Sequence, residues 1–462
     1  MRRNANRIEI KGWIRRLTGR VGLLALLSWP ALSGTNYILE VKGSTLEPVM
    51  NAYGLTLHRQ LFSSPLLTVG VVSTPDGDWS SSASVVEQDQ NVLKFQQDRP
   101  LTAKAPKLPV VDLGVANLQA WLLSMQSAQQ KTNSYLNQAA LGLVGGSTGN
   151  MGAGITVAVI DTAIDTSHAV LAGKLLDGVD CVGSANCAGE VTSISNDPTV
   201  SLNQSTVIIL DQSTVIILDQ STVIILDQST VIILDDNTAL AIQGQQLPAD
   251  FGHGTMVASL ISAAAPNAKI MPIRAFNADG SSQLSDVVAA VMYAAEHGAQ
   301  VINMSFDLDT SDPALSDAIA YATSKGAICV ASTSNSGTNS TVFPAAYNSP
   351  SQPVIGVGSV DSRSGLFRSS FSGYGSQSVN VYAPGEGLIA AYPGNHFAIA
   401  SGTSFATALA SGVAAVVKSS TSSILGGYVS AITDTGSPVL FPYDGTRVVN
   451  ATAAVRNINL DN

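Results

Sequence analysis

The chain has 462 residues, of which 45% are hydrophobic and only 12% are charged, which is typical of packed globular structure rather than disorder. Its formal net charge at pH 7 is −10, although seven of its 23 basic residues lie within the first 20 positions. Without residues 1–34, the chain carries 16 basic against 32 acidic residues. Such an acidic surface repels nucleic acid and anionic membranes, so we exclude both as partners.

The N-terminus has the organisation of an export signal. Basic residues end at Arg20, the apolar stretch Val21–Leu32 follows, and the small residues Ser33 and Gly34 come next. An apolar run of about a dozen residues suits a signal peptide and is short for a membrane span. We therefore predict a signal peptide over residues 1–34 and secretion of the protein, either extracellular or periplasmic, with no membrane association once the signal is removed.

Residues 35–98 combine short apolar strands with one helix. Strand patterns occupy Tyr37–Val41, Leu55–Phe62, Leu66–Ser73 and Val92–Phe95, a helix pattern occupies Thr45–Tyr53, and no clear helix pattern occurs in Pro75–Asp89. These patterns predict a small α+β unit. Residues 99–130 contain Pro100, Pro106 and Pro109 and are predicted to be a linker with one short helix.

From Gly152 onward, buried strands alternate with helices. Near-continuous apolar runs, typical of parallel strands covered on both faces, occupy Ile155–Ile160, Lys269–Ile273, Val301–Met304, Ala327–Ala331 and Val354–Val357. Helix patterns occupy Val287–His297 and Pro313–Lys325. We therefore predict an α/β domain from Gly152 onward with a mostly parallel central sheet.

A tandem repeat interrupts this domain. Residues 204–235 are the octapeptide Gln-Ser-Thr-Val-Ile-Ile-Leu-Asp, present four times without a change. Each copy has the β-branched core of a strand and a turn-forming corner, which predicts short strands or hairpins. The insert is either a binding surface or spacer, or a duplication tolerated in a surface loop. We favour the second interpretation, because loop-closure entropy rises slowly with length.

The three cysteines leave one alternative open. Cys181 and Cys187 lie six positions apart in a loop, whereas Cys329 lies in an apolar run. In an oxidising compartment the first two either form a disulfide or stay reduced, and Cys329 is predicted to be a buried free thiol. No cysteine spacing is typical of a zinc site.

Three separate segments carry the groups that peptide hydrolysis requires. Asp161 follows the apolar run Val157–Ile160, His253 opens an apolar helix pattern, and Ser404 lies at the start of another. Strand C-termini and helix N-termini face the same side of a parallel sheet, so the three side chains can converge there. Together they offer a carboxylate, an imidazole base and a hydroxyl nucleophile.

These segments resemble the Asp-Thr-Gly, His-Gly-Thr and Gly-Thr-Ser-Met-Ala-Thr boxes of the subtilisin-like serine proteases, in the same order. The resemblance covers residues 131–462 and implies a three-layer subtilisin-like fold. It also implies a serine endopeptidase in which Ser404 is the nucleophile, His253 is the general base and Asp161 orients the histidine. Asn335 matches the asparagine of the oxyanion hole, which its amide would form together with the Ser404 N–H.

The resemblance also assigns the edges of the substrate cleft. Ser305 and Phe306 resemble one edge, and Ser281, Ser282 and Gln283 resemble the opposite edge. A protein or peptide substrate would pair between them as an added strand. Catalysis would need no cofactor, and we expect a monomer.

Residues 35–98 resemble the inhibitory prodomain of the family, which blocks the cleft of the precursor and is then cut away by the enzyme itself. The rival interpretation is an accessory domain that the mature protein keeps. Val170 stands where many members have a calcium-binding Asp, which argues against that calcium site; other structural calcium sites stay open, with no residue assigned.

Several positions depart from the family boxes. The replacements are Ala163, Met256, Ser334 and Ala408, and Asp307 stands where a glycine is frequent. None of them removes a proton-transfer group, so they bear on pocket shape more than on catalysis. The alternative function is a catalytically inactive, protease-like binding protein. A hydrolase with a Gly-x-Ser-x-Gly elbow would place its serine before the acid and the histidine, which this chain does not.

Overall fold

The computed structural model describes residues 36–74, 83–102, 150–183, 187, 232–233, 251–350, 352–362, 365, 367–393, 396–440 and 445–461. All of them belong to one compact unit, Gly34–Asn462. The predicted signal peptide, the linker beyond residue 102 and the first three copies of the repeat lie outside the described residues. Those predictions stay predictions.

The secondary structure within these ranges is as follows. The strands are β1 (Asn36–Lys42), β2 (Thr56–Ser63), β3 (Leu67–Ser73), β4 (Val92–Gln97), β5 (Pro100–Thr102), β6 (Thr156–Asp161), β7 (Val179–Asp180), β8 (Ile232–Ile233), β9 (Lys269–Arg274), β10 (Ser281–Gln283), β11 (Val301–Met304), β12 (Ile328–Ser332), β13 (Val354–Asp361), β14 (Val381–Glu386), β15 (Leu388–Tyr392) and β16 (His396–Ala400). The helices are α1 (Glu47–Tyr53), α2 (Ala83–Glu87), α3 (His253–Ala264), α4 (Leu284–Glu296), α5 (Pro313–Ser324), α6 (Thr403–Ser420), α7 (Leu425–Asp434) and α8 (Ala451–Asp461).

The described residues of the N-terminal part, residues 36–102, include an antiparallel sheet in the order β2-β3-β1-β4. Helix α1 has a proline in its first turn and ends at Gly54, whose φ of 65° is left-handed. The expectation of no helix in Pro75–Asp89 was wrong, because α2 lies there. Its five residues bury only one apolar side chain, Val86, so no helical periodicity marks it in the sequence.

Two faces of the N-terminal sheet have different partners, because neighbouring side chains of a strand point to opposite faces. Tyr37, Leu39 and Val41 belong to the core that the sheet forms with its own helices. Ile38 belongs instead to a core that includes side chains of α4 and α5. The N-terminal part is therefore packed against the rest of the protein and not suspended from it.

The central sheet of the remaining chain is parallel, in the order β14-β13-β12-β11-β6-β9-β7 among the described strands. Val157 and Val159 of β6 face a core with α3 and α6, whereas Ala158 and Ile160 face a core with α4 and α5. Burial on both faces explains the continuous apolar runs of these strands. The predicted three-layer α/β fold is confirmed.

Three smaller predictions have outcomes within the described ranges. The disulfide Cys181–Cys187 is present, and Cys329 is a buried free thiol. In the fourth copy of the repeat, β8 pairs antiparallel with β16, so these two residues form a strand as expected. The predicted linker contains an unexpected strand, β5, which pairs antiparallel with β10.

Candidate active site

Asp161 and His253 meet at the carboxyl edge of the sheet. Asp161 is the last residue of β6 and His253 the first of α3. The histidine Nδ1 lies 2.9 Å from Oδ1 and 3.0 Å from Oδ2 of the carboxylate. The Thr162 backbone N–H donates to Oδ1 at 2.7 Å and fixes the carboxylate in turn. A buried carboxylate on Nδ1 holds the proton there and leaves Nε2 as the basic nitrogen.

The glycines around His253 are required by close packing. Gly252 has a φ of 83°, in the left-handed region that favours glycine. A Cβ on Gly254 would lie 2.4 Å from the carbonyl oxygen of Thr162. Because that oxygen is backbone and cannot move aside, the start of α3 can approach the end of β6 only with glycine at position 254.

Ser404 lies in the first turn of α6 and shares a pair of reciprocal hydrogen bonds with Ser305. Its hydroxyl donates to the Ser305 carbonyl at 3.1 Å, and the Ser305 hydroxyl donates to the Ser404 carbonyl at 2.9 Å. The ring of Phe405, the next residue, has its centroid 5.5 Å from that of His253. The start of α6 therefore lies beside the Asp161–His253 pair.

Asn335 is held beside the start of α6. Its Oδ1 accepts a hydrogen bond of 2.6 Å from the Thr403 backbone N–H, and its side chain is buried. Because Oδ1 makes this bond, Nδ2 points away from the Thr403 N–H. It lies near Gly402, 3.8 Å from the position that a Cβ on this glycine would take. An amide N–H donor thus lies beside Gly402, two residues before Ser404, and its role in an oxyanion hole stays a prediction.

The predicted substrate edge at residues 281–283 is paired with the chain's own N-terminal part. Thr102, Leu101 and Pro100 of β5 lie opposite Ser281, Ser282 and Gln283 of β10, in antiparallel register. The Leu101 side chain is 2% exposed and lies in one core with Leu284 and Phe306. This edge therefore accepts an extended strand with a buried apolar side chain. The other predicted edge consists of Ser305 and Phe306. Ser305 is hydrogen-bonded to Ser404, and the Phe306 side chain is buried.

Polar contacts anchor the N-terminal part to the start of α4. Arg59 Nη2 lies 2.6 Å from Asp286 Oδ1 and also donates to the Ser285 hydroxyl. Asp98 accepts hydrogen bonds from the Ser285 backbone N–H at 3.1 Å and from its hydroxyl at 2.7 Å. Burial raises the pKa of both Asp98 and Asp286, while the Arg59 charge lowers both.

A similar set of contacts lies at the start of α5. Gln96 accepts from the Ala314 backbone N–H at 3.2 Å and donates to Asp312 Oδ1 at 2.9 Å. Arg99 lies 3.4 Å from the same Asp312 carboxylate. Sequence reasoning missed all of these docking residues, because single polar side chains on separate strands form no motif.

In the ranges that the structure describes, no three His, Cys, Asp or Glu side chains come together as a metal ion would need. Over the same ranges, no helix is both long enough and apolar enough to cross a membrane.

Comparison with known proteins shows which family the chain belongs to. The model of the subtilase family matches residues 152–433. A thermophilic serine proteinase from Bacillus sp. (strain AK1) is 30% identical over 360 residues, 77% of this chain and 73% of that protein. Subtilisin Savinase from Lederbergia lenta is 34% identical over 219 residues, 44% of this chain and 78% of that protein.

The alkaline protease of Alkalihalobacillus alcalophilus is 34% identical and is matched over 55% of its length. Among solved structures, a cold-adapted subtilisin-like serine proteinase aligns with a TM-score of 0.47 and 24% identity, covering 66% of this chain and 90% of that one. The family match and the curated relatives define a serine endopeptidase. The chain belongs to the subtilase family, which confirms the resemblance seen in the boxes.

Proposed function

We propose that the protein is a secreted serine endopeptidase that cleaves protein or peptide substrates through Asp161, His253 and Ser404. The observation that carries this proposal is the contact of His253 Nδ1 with the buried Asp161 carboxylate, beside the helix start that bears Ser404. The alternative, an inactive binding protein of protease shape, has no need for an imidazole held in this tautomer.

The proposed reaction proceeds in two stages. His253 Nε2 accepts the proton of the Ser404 hydroxyl as Oγ attacks the scissile carbonyl, and then gives that proton to the leaving amine. Nε2 then accepts a proton from water as the water attacks the acyl carbonyl, and returns that proton to Ser404 Oγ as the acyl–Oγ bond breaks. The Asn335 amide and the Ser404 N–H donate to the oxyanion of each tetrahedral intermediate. The chain itself thus supplies the nucleophile, the base and the hydrogen-bond donors to the oxyanion, so the proposed mechanism needs no cofactor.

Labelling with a serine-directed phosphonate tests the proposed nucleophile. The wild-type mature enzyme is expected to take up one phosphonate at Ser404, with loss of peptidase activity. The Ser404→Ala variant should neither label nor cleave. Ser336→Ala changes the exposed serine that directly follows Asn335 and should both label and cleave. A folded wild-type protein that never labels at Ser404 would favour the inactive binding protein.

We further propose that the N-terminal part is an inhibitory prodomain that the enzyme removes itself. Its support is β5, which pairs with β10 along the edge where a substrate strand would lie. The bonds that follow Thr102 are then the first to be offered to Ser404. In Ser404→Ala the exported chain should accumulate as an unprocessed precursor. Maturation of that purified variant without another protease would refute self-processing.

A further inference from the structure

A buried amide stands in the middle of the apolar sheet. Asn303 lies on β11, is 0% exposed, and points to the same side as Val301, whose side chain belongs to the core with α3 and α6. An amide in such a place costs stability unless its polar atoms are bonded. Ser411, also 0% exposed, faces it from α6.

The amide is the centre of a directed chain of hydrogen bonds that ends on the backbone carbonyl of Ser404. Ser411 Oγ donates to Asn303 Oδ1 at 3.0 Å, and Asn303 Nδ2 donates to Ser305 Oγ at 2.9 Å. The Ser305 hydroxyl donates in turn to the carbonyl of Ser404 at 2.9 Å. Every donor in this chain points toward Ser404, an arrangement in which successive hydrogen bonds polarise and strengthen one another.

We propose that Ser305, oriented by Asn303 and Ser411, is a positioning residue that holds the backbone of Ser404 at the site of attack. This inference rests on the proposed role of Ser404 as the nucleophile. Ser404 and Ser411 are two turns apart on α6, so the chain fixes the start of this helix to β11 at two levels. It therefore constrains both the rotation and the height of the nucleophile above the sheet.

The reciprocal bonds give the Ser305 hydroxyl a specific task. In the resting enzyme the Ser404 hydroxyl donates to the Ser305 carbonyl, and this bond must break when Oγ turns to the substrate. The bond from Ser305 Oγ to the Ser404 carbonyl does not involve the reacting oxygen and can persist. The Ser404 hydroxyl can therefore turn to the substrate while the backbone of Ser404 stays in place. Holding that backbone matters, because a misplacement of the reacting group by about 1 Å can cost on the order of 100-fold in rate.

Ser305→Ala tests the proposal because it removes only one hydroxyl and leaves the backbone of the substrate edge intact. We expect kcat, normalised to the sites titrated by the phosphonate, to fall about tenfold with KM nearly unchanged. Ser259→Ala is the matched control: this serine is 0% exposed on α3, and its hydroxyl bonds Met256 O and Ala391 N. The control should lower thermal stability and leave kcat per titrated site unchanged.

A double-mutant cycle shows whether the residues act in series. Ser411→Ala should lower kcat per titrated site in the wild-type background and have almost no further effect in the Ser305→Ala background. Asn303→Leu should behave in the same way. Ser411→Ala is the main test of the two, because it removes only one side-chain oxygen and is the smaller change to the core.

Two results would overturn the proposal. One is a decrease in kcat of less than about threefold for Ser305→Ala. The other is a Ser411→Ala change that lowers kcat by the same factor with and without Ser305→Ala. Failure of wild-type Ser404 to label would instead remove the proposed function on which this inference depends, so the two failures are distinguishable.

Discussion

Glu40 makes the contact between the N-terminal part and α5 sensitive to pH. This carboxyl is 3% exposed on β1, on the face of the sheet that bears Ile38. Burial, together with the nearby charges of Asp317 and Asp312 and against that of Lys94, raises its pKa from 4.5 to about 8. At neutral pH the carboxyl is therefore protonated in the packed structure and ionised when the N-terminal part is unfolded.

The sign and size of the effect follow from proton linkage. Because the pKa is raised in the folded state, the favourable contribution is complete below pH 4.5 and is lost as the pH rises through about 8. Between pH 6 and pH 9 this one group should lower the free energy of unfolding by about 3 kcal/mol. The neutral variant Glu40→Gln has no such loss.

The measurement is urea unfolding of the Ser404→Ala precursor, with and without Glu40→Gln, at pH 6 and pH 9. Burial also raises the pKa of Asp98, Asp286 and Asp317, but both chains contain these groups, so the difference between the chains isolates Glu40. Glu47→Gln, at an exposed position of α1, is the control and should follow the parent. Parallel pH dependences for the parent and Glu40→Gln would refute the reasoning.

Three other changes have definite expected outcomes. Asn335→Ala should lower kcat about 100- to 1000-fold with little change in KM, since its amide acts mainly in the transition state; steady-state kinetics with a peptide substrate measure this, and an effect on KM alone would contradict the oxyanion assignment. Deletion of three copies of the octapeptide should leave a folded, active enzyme, as judged by circular dichroism and peptidase assay; an inactive but folded product would mean that the insert shapes the cleft. Arg59→Leu should destabilise the unprocessed Ser404→Ala chain by roughly 3 kcal/mol, because it leaves the buried Asp286 carboxylate without its cation; unchanged urea unfolding would argue against that contact.

The sequence predicted those parts of the fold in which the local geometry allows only one type of residue. Continuous apolar runs identified the parallel strands, since strands buried on both faces need no polar alternation. The boxes around His253 and Ser404 placed both residues at helix starts, which the structure bears out. Only glycine fits at position 254, so this steric requirement is visible in the sequence as a glycine next to His253.

Other features of the structure correspond to no pattern in the sequence. The five-residue helix α2 is too short for a periodic pattern, and β5 begins with a proline in a segment that otherwise reads as a linker. The capping contacts of Asp98 and Gln96 join residues about 190 to 220 positions apart. Asn303 looked like one polar residue in a strand, and only the packing of α6 against β11 shows what its amide bonds.

Cutting the chain after β5 would not by itself free the cleft. The N-terminal part is also held by the Arg59–Asp286 pair and by apolar contacts, such as the Phe62 ring 4.9 Å from that of Tyr321 on α5. None of these contacts depends on the peptide bond that joins the two parts. In the proposed maturation, the cleaved N-terminal part therefore stays bound as an inhibitor until something weakens that surface. Ionisation of Glu40 acts on the same surface, and mildly alkaline pH should accordingly favour release over retention.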